Sequence, residues 1–292
     1  MTRSEFDAFG PWIYEIDGEH GVSRIFLPYY EEKPHLMLFK IPRNAERRRL
    51  SPDMDLYDVL VGAYDDHIRI WRREGTEVTI TDVRYAEIEG VRLFRRFLHG
   101  VCSIYRRGGP VEIVFNAVSM DIMCRFAAII RAHYRNPKTA FTYPEQQITI
   151  PYEDAVFLNH IREIEKSCEH AQLCAYQPLC PTKAVHENVI RRVYHLFRGL
   201  YLRGTVHLLC GSELIVLEKG EQMADGDEYS VSFTMIPIEN IRSVGVFPSE
   251  IYRNALSCVL RLSSCRETFQ FSENNKQAAA FYEALGRYLT EG

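Results

Sequence analysis

Cys168, His170, Cys174 and Cys180 lie in one short segment, with His160 and His186 to either side. Thiolates and imidazoles are the ligands that a structural zinc ion gathers tetrahedrally, four at a time. Here five residues separate successive cysteines, which is not the paired C-x2-C of a zinc knuckle. Cys168 also fits the apolar face of a helix, so packing is the main expectation and a zinc-stabilised scaffold the lesser one. A second group is cationic: Arg72-Arg73, Arg95-Arg96 and Arg106-Arg107, beside the triplet Arg47-Arg48-Arg49. A guanidinium fork matches phosphate or carboxylate. The pairs at 72 and 106 are expected at strand ends beside turns, on one rim, which makes these six arginines candidate anion-binding residues. The plainer expectation is that they pair with neighbouring carboxylates on a solvated surface.

Catalytic patterns are missing from the sequence: there is no Walker loop, G-x-G-x-x-G, G-x-S-x-G or H-E-x-x-H. Asp65-Asp66-His67 sets carboxylates beside an imidazole, but neighbouring side chains in a turn are expected to diverge. The expectation is a binding protein without enzymatic activity and without a cofactor.

The elements that must position these residues follow from patterning. The chain has 292 residues, 46% of them hydrophobic and 25% charged, enough for two ordinary domains. Its net charge of −4 gives no bulk reason to seek nucleic acid. Glu5, Asp7, Glu15, Asp17 and Glu19 speak against a secretory leader, and no apolar run has the length of a membrane helix. A cytoplasmic protein with reduced cysteines is expected, Cys102, Cys124, Cys210 and Cys258 acting as small hydrophobes.

The sequence also repeats itself. Residues 86–94 align without a gap on 239–247, with Ile88, Val91, Leu93 and Phe94 over Ile241, Val244, Val246 and Phe247. Period-two runs extend the match on both sides and predict antiparallel meanders. Turns are expected at Asp65-Asp66, Glu74-Gly75 and Gly108-Gly109, and at Gly211-Ser212-Glu213 in the second copy. Each copy then ends in a helix, marked by Met120, Met123, Ala127, Ile130 and Tyr134, and by Ala278, Phe281, Tyr282, Leu285 and Leu289. Between the copies, Phe157, Ile161, Ile164 and Cys168 mark one helix. Thr182 is the expected N-cap of another, with Val185, Val189, Val193 and Leu196 on its face and a turn over residues 174–181 between the two.

This order of strands and closing helix resembles the pleckstrin-homology-like superfold, including its bacterial and GRAM-like branches. The resemblance implies an α+β, β-rich fold: two partly open β-barrels, each closed by a C-terminal helix. It divides the chain into an extension packed on domain one (1–33), a first domain (34–135), a helical connector (136–183) and a second domain (184–292). The resemblance also implies a tandem binding or scaffold module for a protein or peptide, including a second copy of itself. The alternative is a peripheral membrane protein that docks anionic lipid on the basic rim of domain one. Phosphoinositide-binding members keep basic residues in the first turn; Asp65, Asp66 and Glu213 occupy that turn here and would repel the headgroup.

Overall fold

The structure is a computed structural model and describes residues 5–17, 19–134, 141–166, 168, 171–186, 199–220 and 230–291. It is β-rich with packed helices, an α+β arrangement. After a short helix α1 (Glu5–Ala8), strand β1 (Tyr14–Glu15) pairs with β2 (Met37–Pro42). A meander continues through β3 (Tyr57–Ala63), β4 (His67–Glu74) and β5 (Glu77–Arg84). A second meander, β6 (Ile88–Arg96), β7 (His99–Arg106) and β8 (Val111–Asn116), leads into helix α2 (Met120–Tyr134). Gly75, Gly108 and Gly109 turn the chain at positive φ, a conformation that costs glycine little.

Helix α3 (Ala155–Glu165) follows, then β9 (Ala171–Gln177), β10 (Cys180–Thr182) and β11 (Leu200–Leu202). Strands β12 (Gly204–Cys210), β13 (Glu213–Gly220) and β14 (Ser230–Pro237) form the next meander. The last comprises β15 (Ser243–Pro248), β16 (Ala255–Arg261) and β17 (Arg266–Ser272). Helix α4 (Lys276–Glu291) is capped by Asn275, whose Oδ1 accepts from the Ala278 amide at 3.0 Å. The second series repeats the first, with β9, β12, β13 and β14 matching β2 to β5, and β15 to β17 matching β6 to β8. A 3-10 turn precedes each aligned segment, Tyr85–Glu87 before Ile88 and Ile238–Asn240 before Ile241, and both isoleucines are buried.

Two expectations about the middle of the chain need correction. Residues 174–181, read as a turn between helices, hold most of β9 and the start of β10, because their backbone pairs with β12 and with β11. Thr182 is no helix cap: it closes β10, opposite Leu200. The remainder of that expected helix lies at residues 187–198, outside the described residues.

The two expected partly open barrels do not stand apart: their sheets are joined and close into no barrel. β6 pairs with β14, Arg92 opposite Thr234 and Phe94 opposite Ser232, giving one seven-stranded sheet in the order β8-β7-β6-β14-β13-β12-β9. Each of the two strands had a row of backbone groups with no partner in its own meander, and joining them satisfies both rows. Side chains alternate across this shared sheet. On one face Leu93, Cys102, Ile113, Val206 and Leu217 pack with α2, α3 and the β1-to-β5 sheet. On the other, Leu214, Val216 and Ile236 pack with Phe269, Phe281 and Tyr282 of β17 and α4. The outer face of the first sheet buries Leu38, Leu60 and Trp71 beneath Phe9 and Phe26 of the N-terminal residues.

Candidate functional site

The six candidate arginines do not all gather at one place. Arg95 and Arg96 sit at one end of β6, opposite Gly100 and His99, whereas Arg106 lies opposite Ile88 at the other end. Eight residues of strand separate the two ends, roughly 26 Å at the usual rise. Successive side chains point to opposite faces, so Arg95 approaches α3 and its His160 while Arg96 lies on the other face. Arg73 is held by Asp58, with Nε donating to Oδ1 at 2.8 Å, and Arg72 donates from Nη2 to the Glu112 carbonyl at 2.7 Å. The Arg107 amide donates to the Glu87 carbonyl at 3.2 Å, on the same end as Arg106.

The cysteine set is not assembled either. Cys168 is disulfide-bonded to Cys210, with Cα atoms 6.0 Å apart, which corrects the expectation of reduced thiols at both positions. The cause is tertiary: Cys210, at the end of β12, lies opposite Ala171 of β9, just after Cys168. Cys174 is fully buried, its thiol pushed up to about 12 by burial, and donates to the Gln172 carbonyl. Cys180 donates to the Pro178 carbonyl, and His170 lies outside the described residues. Among the described residues no group of three or more His, Cys, Asp or Glu side chains is placed to hold a metal ion.

The acidic turns also differ from expectation. Glu213 is 1% exposed and ion-paired to Arg131 of α2, so its charge is not presented to solvent. Asp66 and His67 do not diverge: Oδ1 and Nδ1 are 2.6 Å apart, and the imidazole stacks on Tyr64.

An open cleft of about 650 Å³ lies where the N-terminal segment meets the outer end of β6 to β8. Trp12, Pro42 and Arg43 form one wall; Leu98, His99 and Val114 form the other. Trp12 is 51% exposed, Phe97 64%, Leu98 61% and Val114 48%, so an apolar patch faces water. The patch is held from below. The Ile13 amide donates to Ser119 Oγ at 2.9 Å, and the Ala117 amide donates to the Leu98 carbonyl at 2.8 Å. Phe115 lies across Gly100, where a Cβ would come within 2.5 Å of its ring. Phe97 itself has φ of 50°, in the left-handed region that aromatic residues rarely adopt. Arg43 and His99 line the cleft, and Arg96 lies opposite His99 on β6.

Two buried polar clusters accompany it. At the join of the two series, Arg92 faces Tyr105, Glu218 and Glu267; burial lowers its pKa, and these neighbours outweigh that and keep it charged. Burial raises the pKa of Glu267, opposed by Tyr105 and Arg92. Nearby, Glu89 accepts from the Ser263 and Ser264 amides at 3.2 and 2.9 Å, tying the β16–β17 hairpin to β6. In the second core, His207 is pushed down to about 3 by burial and lies 2.7 Å from the Tyr282 hydroxyl through Nδ1.

Neither the cleft nor the clusters had a local signature: their members come from strands tens to hundreds of residues apart. The one available signal was Phe97-Leu98 following Arg95-Arg96, an apolar pair at a turn where polar residues are usual. Compared with known proteins, the sequence matches no family model, and no curated protein is significantly similar to it.

Proposed function

We propose that the chain is a non-enzymatic docking module of two pleckstrin-homology-like units sharing one sheet, and that it binds a peptide segment of a partner protein in the Trp12–Leu98–Val114 cleft. The exposed apolar lining of that cleft is the observation that carries this reading. Apolar walls with a few polar groups at the margin suit an apolar anchor, and the guanidinium of Arg43, with Arg96 opposite His99 nearby, suits acidic residues beside it. Selection of displayed random peptides tests it. Peptides with an apolar anchor and acidic neighbours should be retained by the wild type and lost from a Leu98→Asp, Val114→Lys variant. Equal enrichment on both proteins would sink the reading.

A second reading has its own observation: Phe97 and Leu98 project beside Arg95 and Arg96, as a membrane-docking tip does. Against it, residues 221–229 carry four carboxylates and no basic residue, and the flanking Ser230 lies opposite Arg96. Flotation with acidic vesicles at low salt, where screening is weakest, separates the two. The membrane reading requires binding that phosphatidylcholine vesicles do not give.

A further inference from the structure

A strand at the border of a sheet offers a row of unpaired N–H and C=O groups, and folded chains usually protect it. Most borders here are protected. Arg72 reaches over to the Glu112 carbonyl of β8. β9 shifts register against β12, and Asn275 Nδ2 donates to its Tyr176 carbonyl at 3.0 Å. β17 is stitched to Gln177, whose Oε1 accepts from the Ser272 amide at 2.6 Å. β15 lies against α4 and ends in Pro248, and β1 has only two residues. β5 has eight residues, no proline and no bulge, and among the described residues its one strand partner is β4.

The β4–β5 turn sets which groups face outward. Glu74 and Glu77 flank a two-residue turn and form a hydrogen-bonded pair, as do Arg72 with Thr79 and Ile70 with Thr81. Val78, Ile80 and Asp82 therefore direct their N–H and C=O groups away from β4. No backbone hydrogen bond among the described residues reaches Glu77–Arg84 from elsewhere. Beside this border Ile80 is 46% exposed, and the adjoining 3-10 turn Arg24–Tyr29 adds Leu27 at 55% and Tyr29 at 45%.

We propose that this border pairs antiparallel with β5 of a second copy, about a two-fold axis through Thr79, joining two five-stranded sheets into one. This interface goes beyond the cleft reading and does not depend on it. A two-fold axis normal to the sheet keeps each residue on its own face, so opposed residues must share parity. With Thr79 opposite Thr79, Val78 faces Ile80 twice, and these are the residues whose backbone groups point outward. Glu77 then faces Thr81, and no carboxylate opposes another. Asp82 is already held by Arg69, which donates from Nε at 2.7 Å and from Nη2 at 2.8 Å. Shifting the axis to Ile80 would set Val78 against Asp82 twice. The strand thus reads as the complement of itself, with an uncharged centre and charges at its ends.

Sedimentation velocity of the full chain over a wide micromolar range tests the interface. The wild type is expected to pass from monomer to dimer as concentration rises. Ile80→Pro removes one outward amide without touching the β4 ladder. It should weaken dimerisation by about tenfold or more, and Ile80→Lys should do the same through charge repulsion. Oxidised Thr79→Cys should give a covalent dimer on a non-reducing gel that the wild type, with its native cysteines, does not give. A wild type that stays monomeric throughout overturns the proposal, whatever other strand the border accepts. So does a dimer that survives both Ile80 substitutions.

Discussion

The guanidinium of Arg131 and the carboxylate of Glu213 meet in the interior and join the helix ending the first series to the β12–β13 turn of the second. Arg131 Nη2 donates to Glu213 Oε2 at 2.6 Å, and the Tyr134 hydroxyl donates to Oε1 at 2.7 Å. Both charged residues are nearly excluded from water, at 8% and 1% exposure. With the shared sheet, this contact fixes one unit against the other.

Breaking that contact from one side leaves a charge in a site that cannot hydrate it. Glu213→Ala should therefore lower the unfolding free energy by about 3 to 5 kcal/mol. Arg131→Met with Glu213→Leu removes both charges and should recover most of the loss. Urea unfolding of the single and double variants measures the difference. A double variant as unstable as the single would mean that the pair's shape, not its charge, is what the site requires.

The burial of His207 makes stability depend on pH. The folded imidazole is depressed to about 3 from an ordinary 6.5, so the unfolded chain takes up its proton first as pH falls. The stabilisation is thus fully present above the unfolded value and declines below it. At about pH 5 the loss relative to neutral pH should be about 2 kcal/mol from this residue. Urea midpoints across that range should fall less steeply in a His207→Phe, Tyr282→Phe variant, which carries no such linkage.

How much of this was legible in sequence depends on how local each determinant is. The Ile88 and Ile241 patterns mark strands that follow matching 3-10 turns, because alternation and turn glycines act over a few residues. The helix faces of Met123, Ile130, Phe281 and Leu285 are buried for the same reason. The join of β6 to β14 had no such mark, since an edge looks alike in sequence whether it meets water or another strand. Residues 174–181 carry no strand mark of their own, because the partner that makes Ala171–Gln177 a strand lies beyond them in β12. The arginine doublets show the limit most plainly. Neighbours in a strand point to opposite faces, so Arg95 and Arg96 serve different surfaces.

Glu267 gives a linkage of the opposite sign. Burial raises its folded pKa above the unfolded value, so its contribution is most favourable at low pH and is lost as pH rises through the folded value. Glu267→Gln keeps an acceptor for Tyr105 and removes the ionisation. The variant should gain on the wild type in unfolding midpoint at neutral pH and above, with the gain vanishing in acid. A variant less stable at every pH would mean that Arg92 needs the Glu267 charge more than burial penalises it.

The Cys168–Cys210 bond closes a separation of 42 residues. Loop-closure entropy assigns such a bond about 4 kcal/mol, so reduction, or Cys168→Ala with Cys210→Ala, should lower the unfolding midpoint by a readily measured amount. Peptide mapping of alkylated, unreduced protein should recover the two cysteine peptides linked. Recovering both alkylated would return them to the role of packed thiols.

Phe97 separates stability from recognition. Its left-handed backbone costs about 1 kcal/mol for a residue with a side chain, and 64% of its surface remains in water. Phe97→Gly should therefore raise the unfolding midpoint modestly while weakening the binding of any peptide selected on the wild-type cleft. Leu98→Asp, at an exposed position, should leave stability within about 0.5 kcal/mol and reduce binding further. If Phe97→Gly instead lowers stability and leaves binding unchanged, the turn serves the fold, and recognition rests on Trp12 and Val114 alone.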